Sequence, residues 1–410
     1  MIMWAIILVV AIIGIIAAIW YVINRITKFR FIDIIEDKTI YKDKPRTANR
    51  ARDFGLSAKY KYMDENPDST VKYKTKRSWL RTLIATIIFL VTFGILFLCF
   101  NGVEAVVILF HLAVIWLIVE AIFTLLYKFH LDLTQLKVYL AGILAIVFTV
   151  ICMVVANYLG TNVFVTNYTI DTNKNVEPIR IVQIADTHLG ITLNKDNFKD
   201  LVDKINAQNP DIVVLTGDFV DDSSTYEDMV GACEALSKVN SKYGVYFSYG
   251  NHDRGYYKNE DRGYDGAILE ETLKANNVKI LEDQIDVLDD QYMIIGRADK
   301  SRADRMSISQ LVGTVDKYEF NKDYSIVLDH QPNDYENESN AFVDLVLSGH
   351  THGGQCLPIN RIGELIGAND ATYGHHKIND TDFIVTSGAS SWGLRFKTGT
   401  CSELVVIDVK

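Results

Sequence analysis

Apolar residues follow two different patterns along this chain. Over the first 160 residues they form four long stretches, at 2–23, 82–100, 103–127 and 138–159. From residue 179 onward, short apolar runs alternate with amphipathic stretches. The short runs predict strands at 179–185, 212–216, 245–249, 278–281, 285–288, 293–295, 325–328, 343–347, 383–386 and 404–409. Helical periodicity appears at 196–207, 226–239 and 268–275. Strands alternating with helices predict an α/β fold with a largely parallel core. Residues 161–177 read as a polar linker, which divides the chain into 1–160, 161–177 and 178–410.

A bilayer crossing needs about 20 apolar residues, and each N-terminal stretch approaches or exceeds that length. The turn Asn101-Gly102 sits between the second and third stretches and forces them into a hairpin. The first stretch lacks the basic start and small-residue cleavage site of a secretory signal, so it reads as a span. Residues 1–160 therefore predict an all-α region of four transmembrane helices. Orientation follows from basic residues in short loops. The loop 24–79 holds 15 Lys/Arg, including Lys72, Lys74, Lys76 and Arg77. Lys128 and Lys137 follow the third span, whereas 101–105 holds no basic residue. The basic loops then face the cytoplasm, which predicts a multi-pass protein of the cell membrane with everything after residue 159 extracytoplasmic. The basic loop also suits contact with anionic membrane lipids. Glu104, His111 and Glu120 fall in the third span. Polar contacts between helices explain them more simply than transport or sensing.

Charge separates the same two regions. Residues 1–160 carry 18 Lys/Arg and 11 Asp/Glu, a net of +7, and residues 161–410 carry 23 and 40, a net of −17. An acidic C-terminal region argues against nucleic acid as a partner. Five Cys in 410 residues exclude a disulfide scaffold, and the apolar content excludes a disordered chain.

The candidate chemistry lies where the strands end. Asp186-Thr187-His188 follows 179–185, and Gly217-Asp218-Phe219-Val220-Asp221 follows 212–216. Gly250-Asn251-His252-Asp253 follows 245–249, Asp329-His330 follows 325–328, and Gly349-His350-Thr351-His352 comes just after 343–347. In an open α/β sheet, sites form beyond the carboxyl ends of the strands. Nine His occur in the chain, and five lie in these segments. A mixed Asp, Asn and His set suits two divalent ions about 3.5–4 Å apart, with Mn, Fe or Zn fitting better than Ca.

These blocks, all present and in order, resemble the signature of calcineurin-like metallophosphoesterases, and most of all the membrane-associated YkuE/YaeI-like branch. The resemblance covers 178–410 and leaves the spans unexplained. It implies a four-layer α/β/β/α metallophosphoesterase sandwich with a dinuclear metal site. It further implies that Asp186, His188 and His352 hold one ion, that Asn251, His330 and His350 hold the other, and that Asp218 bridges them. His252 would donate a proton to the leaving group, Asp253 would orient His252, and Asp221 would support a ligand from behind. Arg361, His375 and His376 are further candidates to touch substrate, although an ordinary surface loop explains them more simply.

A hydroxide between two cations is a strong nucleophile at neutral pH. The expected activity is thus hydrolysis of a phosphodiester or phosphomonoester, with a membrane anchor favouring lipid-linked or envelope substrates. The alternatives are a non-catalytic metal-binding scaffold and a sensor or transporter coupled to the spans.

Overall fold

The computed structural model describes residues 2–32, 34–35, 79–129, 138–255 and 262–410. The cluster Lys72–Arg77 and Lys137 lie outside the described residues. The chain divides into two units, Met1–Met153 and Val154–Lys410.

Four helices among the described residues are long and apolar enough to cross a membrane: α1 (Ile2–Ile26), α2 (Trp79–Cys99), α3 (Gly102–Lys128) and α4 (Leu140–Thr161). Their lengths follow from uninterrupted apolar runs, and their ends from local signals. Asn101 caps α3: its side chain accepts from the Glu104 amide at 2.8 Å, and Glu104 accepts from the Asn101 amide at 3.2 Å. Such a reciprocal pair satisfies two amides that no helical carbonyl can reach. Glu104 is therefore a buried capping group. His111 turns back to the Val107 carbonyl of its own helix, at 2.8 Å. Glu120 reaches groups beyond its own helix, as described in the Discussion.

The second unit contains two six-stranded sheets. The first runs β1 (Val163–Ile170), β12 (Ser402–Val409), β2 (Ile179–Ile184), β3 (Ile212–Thr216), β4 (Val245–Ser248), β5 (Val278–Ile280). The second runs β10 (Gly374–Ile378), β11 (Thr381–Val385), β9 (Leu345–Ser348), β8 (Tyr324–Leu328), β7 (Tyr292–Gly296), β6 (Gln284–Leu288). β2 through β5 are parallel, as are β7, β8, β9 and β11. Antiparallel pairs occur at β12/β2, β10/β11 and β6/β7.

The period-two alternation of each strand builds the layers. In β2 and β3, Ile181, Ile212 and Val214 point to a core shared with Ile294, Ile326, Leu345 and Ile384 of the other sheet. The intervening Val182, Val213 and Leu215 pack outward on Phe198, Leu201, Met229 and Leu269 of three flanking helices. On the far side, Met293, Ile295, Val327 and Phe383 pack on Ile308, Leu311 and Tyr335 of short helices. The result is the expected helix–sheet–sheet–helix sandwich. Both faces of the central strands are buried, which is why they read as unbroken apolar runs. Each fully buried Ile or Val contributes roughly 1.5–3 kcal/mol.

The connector 161–177 is not wholly a linker. Val163–Ile170 is the edge strand β1, pairing in parallel with all of β12. Its alternation of half-buried and exposed positions places polar Thr and Asn toward solvent, and that polarity disguised a strand as a loop. Strand β10 and the short helices after residue 300 were likewise absent from the sequence reading.

Candidate metal centre

Loops at the carboxyl ends of β2, β3, β4, β8 and β9 bring the predicted residues together. Asp186, His188 and His352 converge so that one potential ligand atom of each lies within 4.8 Å of the others, and Asp218, His330 and His350 do the same. The two groups meet at Asp218. Its Oδ2 lies 3.2 Å from His330 Nε2 and 3.6 Å from His188 Nε2. His352 Nε2 and His188 Nε2 approach Asp186 Oδ1 at 3.8 and 3.9 Å.

The backbone is bent to achieve this. Asp186, His188, Asp218, His350 and His352 all have left-handed φ, between 34° and 71°. Non-glycine residues rarely adopt this conformation, and when they cluster in it they mark functional sites. Close approach also requires glycine. A Cβ on Gly349 would stand 2.5 Å from Asp186 Oδ2, and one on Gly217 would stand 2.7 Å from His330 Nδ1.

Rear contacts fix the rings. His188 Nδ1 lies 2.9 Å from Asp221 Oδ2, and His330 Nδ1 lies 2.9 Å from the Thr216 carbonyl. With Nδ1 so engaged, Nε2 of each ring turns inward. Among the described residues, His188 Nε2 and Asn251 Oδ1 are buried without a hydrogen-bond partner. Buried polar atoms are nearly always paired, so these atoms suit a missing ligand. Imidazole nitrogens, an amide oxygen and carboxylates form a donor set that fits divalent cations.

Electrostatics reinforce this arrangement. Burial pushes the Asp186 carboxyl up to about 6. Burial, together with the charge of His330, pushes the His350 imidazole down to about 4. Burial also opposes the ionised form of Asp218, but His330 and His188 outweigh it and hold that carboxyl well below its usual range. The cluster thus keeps an anionic bridge between two groups of imidazoles.

Two expectations need correction or extension. Asp253 does not orient the His252 ring. Its carboxylate accepts four backbone amides, from Asp218, Phe219, Val220 and Gly250, at 2.7–3.2 Å. This buried carboxylate ties together the amides of the two site loops. The carboxylate facing the His252 ring is that of Asp222, with Oδ2 3.6 Å from Nδ1, and the Asp221-Asp222 doublet was the available signal. Sequence reading also missed Lys397. It is fully buried, and its ammonium donates to the Ser387 and Gly388 carbonyls at 2.5 and 3.3 Å. His375 and His376 sit on β10, bonded to Asp382 and the Tyr373 carbonyl, and take no part in either group.

The chain belongs to the calcineurin-like phosphoesterases, a family of phosphoric-ester hydrolases; the family model matches residues 179–354. It is 33% identical to the Campylobacter jejuni metallophosphoesterase Cj0846 over 235 residues, 57% of this chain and 59% of that one. It is 30% identical to YkoQ of Bacillus subtilis over 236 residues, covering 55% of this chain and 82% of YkoQ. A Danio rerio transmembrane protein with a metallophosphoesterase domain is 26% identical over 246 residues, 58% of this chain and 54% of that protein. The chain thus spans less than two thirds of the Campylobacter and Danio proteins. The span matched by the family model, 179–354, lies within the second unit.

Proposed function

We propose that this protein is a membrane-anchored, metal-dependent phosphoesterase, with a transmembrane region at 1–160 and a catalytic region at 178–410. One observation carries the reading: a single carboxylate oxygen of Asp218 faces a histidine from each ligand group, at 3.2 and 3.6 Å. In the proposed assignment Asp186, His188 and His352 hold one divalent ion, Asn251, His330 and His350 hold the second, and Asp218 bridges them. Mn, Fe and Zn all suit this set. Two such ions supply Lewis acidity and lower the pKa of bound water.

The protein's own groups then have defined tasks. The ring of His252, 5.2 Å from that of His188, lies where it can pass a proton to the leaving oxygen. Asp222 steadies that ring. Asp221 fixes the tautomer of His188, and the amide clamp of Asp253 holds the β3 and β4 loops in register. Loop charges favour an extracytoplasmic catalytic region, and anchoring favours a lipid or envelope phosphoester, diester or monoester.

The test uses the full chain in lipid nanodiscs, stripped of metal and reloaded with Mn²⁺, Fe²⁺ or Zn²⁺. Hydrolysis of a chromogenic phosphodiester and monoester is followed, with His350→Ala alongside. Metal-dependent turnover that this substitution abolishes is the expected result. Stoichiometric binding of two ions without turnover of either ester would overturn the reading in favour of a scaffold.

A further inference from the structure

Three residues after the metal-facing His352, the chain enters a loop that displays its apolar side chains. Leu357 is 46% exposed, Ile359 54%, Ile362 43% and Leu365 86%. Trp392 is 51% exposed, with its ring 6.3 Å from that of His252. Exposed apolar groups this dense mark an interaction surface.

The start of this loop is fastened down. The Gln355 side chain donates to the Trp392 carbonyl at 3.2 Å and accepts from the Trp392 amide at 3.0 Å. The Gln355 carbonyl accepts from Thr398 and Gly399 at 2.9 and 3.0 Å, and the Leu357 amide donates to Thr398 Oγ1 at 2.9 Å. The loop then folds back so tightly that a Cβ on Gly354 would meet the Asn360 carbonyl at 1.9 Å. One bonded unit therefore carries the apolar loop and a tryptophan beside the proposed proton donor.

We infer that residues 357–365 and Trp392 receive the apolar tail of a lipid-type phosphate ester whose phosphate reaches the metal centre. This inference rests on the phosphoesterase reading and names its substrate class. Two features favour a lipid over a protein partner. The same chain carries four membrane-length helices, and tethering to a bilayer raises the local concentration of lipid esters over that of other partners. Within 355–367 the only Lys, Arg, Asp or Glu residues are Arg361 and Glu364, whereas the region 161–410 as a whole is strongly acidic. An anionic ester approaching such a domain gains little from long-range charge, and an apolar wall supplies the missing attraction.

The test uses the full chain in nanodiscs with Mn²⁺. Ethyl and dodecyl 4-nitrophenyl phosphate, and ethyl and dodecyl phosphate, present the same reacting groups with short and long tails. The ratio of kcat/KM for long over short tails is expected to fall by at least about tenfold in Trp392→Ala and in the double variant Ile359→Ser/Leu365→Ser. Partitioning into the nanodisc is common to all variants, so the comparison isolates the loop. Independently, bromododecyl phosphate should quench the emission of Trp392, read as the difference between the native sequence and Trp392→Phe, since the other four tryptophans are common to both. An unchanged ratio together with no quenching at Trp392 overturns the inference, and a loop that serves a protein partner gives this result. If short esters are still hydrolysed in that case, the phosphoesterase reading stands alone. Quenching without turnover of any ester is the converse: the tail site stands and the phosphoesterase reading falls.

Discussion

Nδ1 of His188 lies 2.9 Å from Oδ2 of Asp221, which leaves Nε2 to face Asp186 and Asp218 at 3.9 and 3.6 Å. A carboxylate behind a metal-facing histidine fixes its tautomer and raises its basicity. Burial pushes the Asp221 carboxyl up, but the hydrogen bond and charge of His188 outweigh it and hold the group below its usual range, so it stays anionic at neutral pH. Asp221→Asn keeps the shape and removes that charge. Affinity for one of the two ions should fall by about 10–100-fold, read by titration against a chromophoric chelator, while the other site titrates as before.

Asp253 and His252 are neighbours in sequence with separable roles. Four amides converge on the Asp253 carboxylate, and Asp253→Ala strands them in the interior. The expected loss of stability is about 3 kcal/mol, read as a lowered unfolding midpoint. His252→Ala should leave that midpoint nearly unchanged and lower turnover by about 10²–10⁴-fold. Equal destabilisation by both changes would contradict the division of labour.

Much of this site was legible because each candidate ligand directly follows a run such as Ile212–Thr216, whose burial on both faces makes the strand plain in one dimension. The sandwich was legible for the same reason. The connector strand β1 was not, since one face is exposed and polar and its partner β12 lies more than 230 residues away. Asp222 was signalled only by its place beside Asp221, and Lys397 was not signalled at all, for a different reason. Their importance comes from three-dimensional neighbours, a histidine ring and two carbonyls, that no local spacing encodes. The left-handed backbone at Asp186, His188, Asp218, His350 and His352 likewise appears only in the fold.

Lys397 makes a pH-dependent prediction. Burial pushes its ammonium down to about 8, against the attraction of Asp186 and Glu403. An unfolded lysine titrates near 10.4. Between about pH 8 and 10.4 the unfolded chain therefore holds a proton that the folded chain lacks, and stability rises with pH across that window. Relative to Lys397→Met, the native sequence should gain up to about 3 kcal/mol from pH 7.5 to 10.5. A stability difference between the two proteins that stays flat over this range would show that Lys397 keeps an ordinary pKa.

Glu120 tests what the membrane helices require. Its carboxylate accepts from Arg25 at 2.7 Å, Lys28 at 3.1 Å, Tyr21 at 3.2 Å and also from Tyr139, whose oxygen in turn accepts from Trp116 Nε1 at 3.0 Å. One carboxylate thus joins α1, α3 and the residue preceding α4. Both cations are mostly buried, with side-chain exposures of 22% and 16%. Removing one partner of such a cluster leaves charge without compensation, so Glu120→Ala should destabilise the helical unit by about 3–5 kcal/mol. Glu120→Gln keeps an acceptor for the two tyrosines and should cost less. A triple variant, Arg25→Met/Lys28→Met/Glu120→Leu, removes all three charges together and should recover most of the loss. Thermal unfolding in nanodiscs, followed through the helical signal, separates these cases. Recovery of stability and of phosphoesterase turnover in the triple variant would mark Glu120 as structural glue. Recovery of stability with turnover still lost would instead connect the charge cluster to the activity of the second unit, as a sensing role demands.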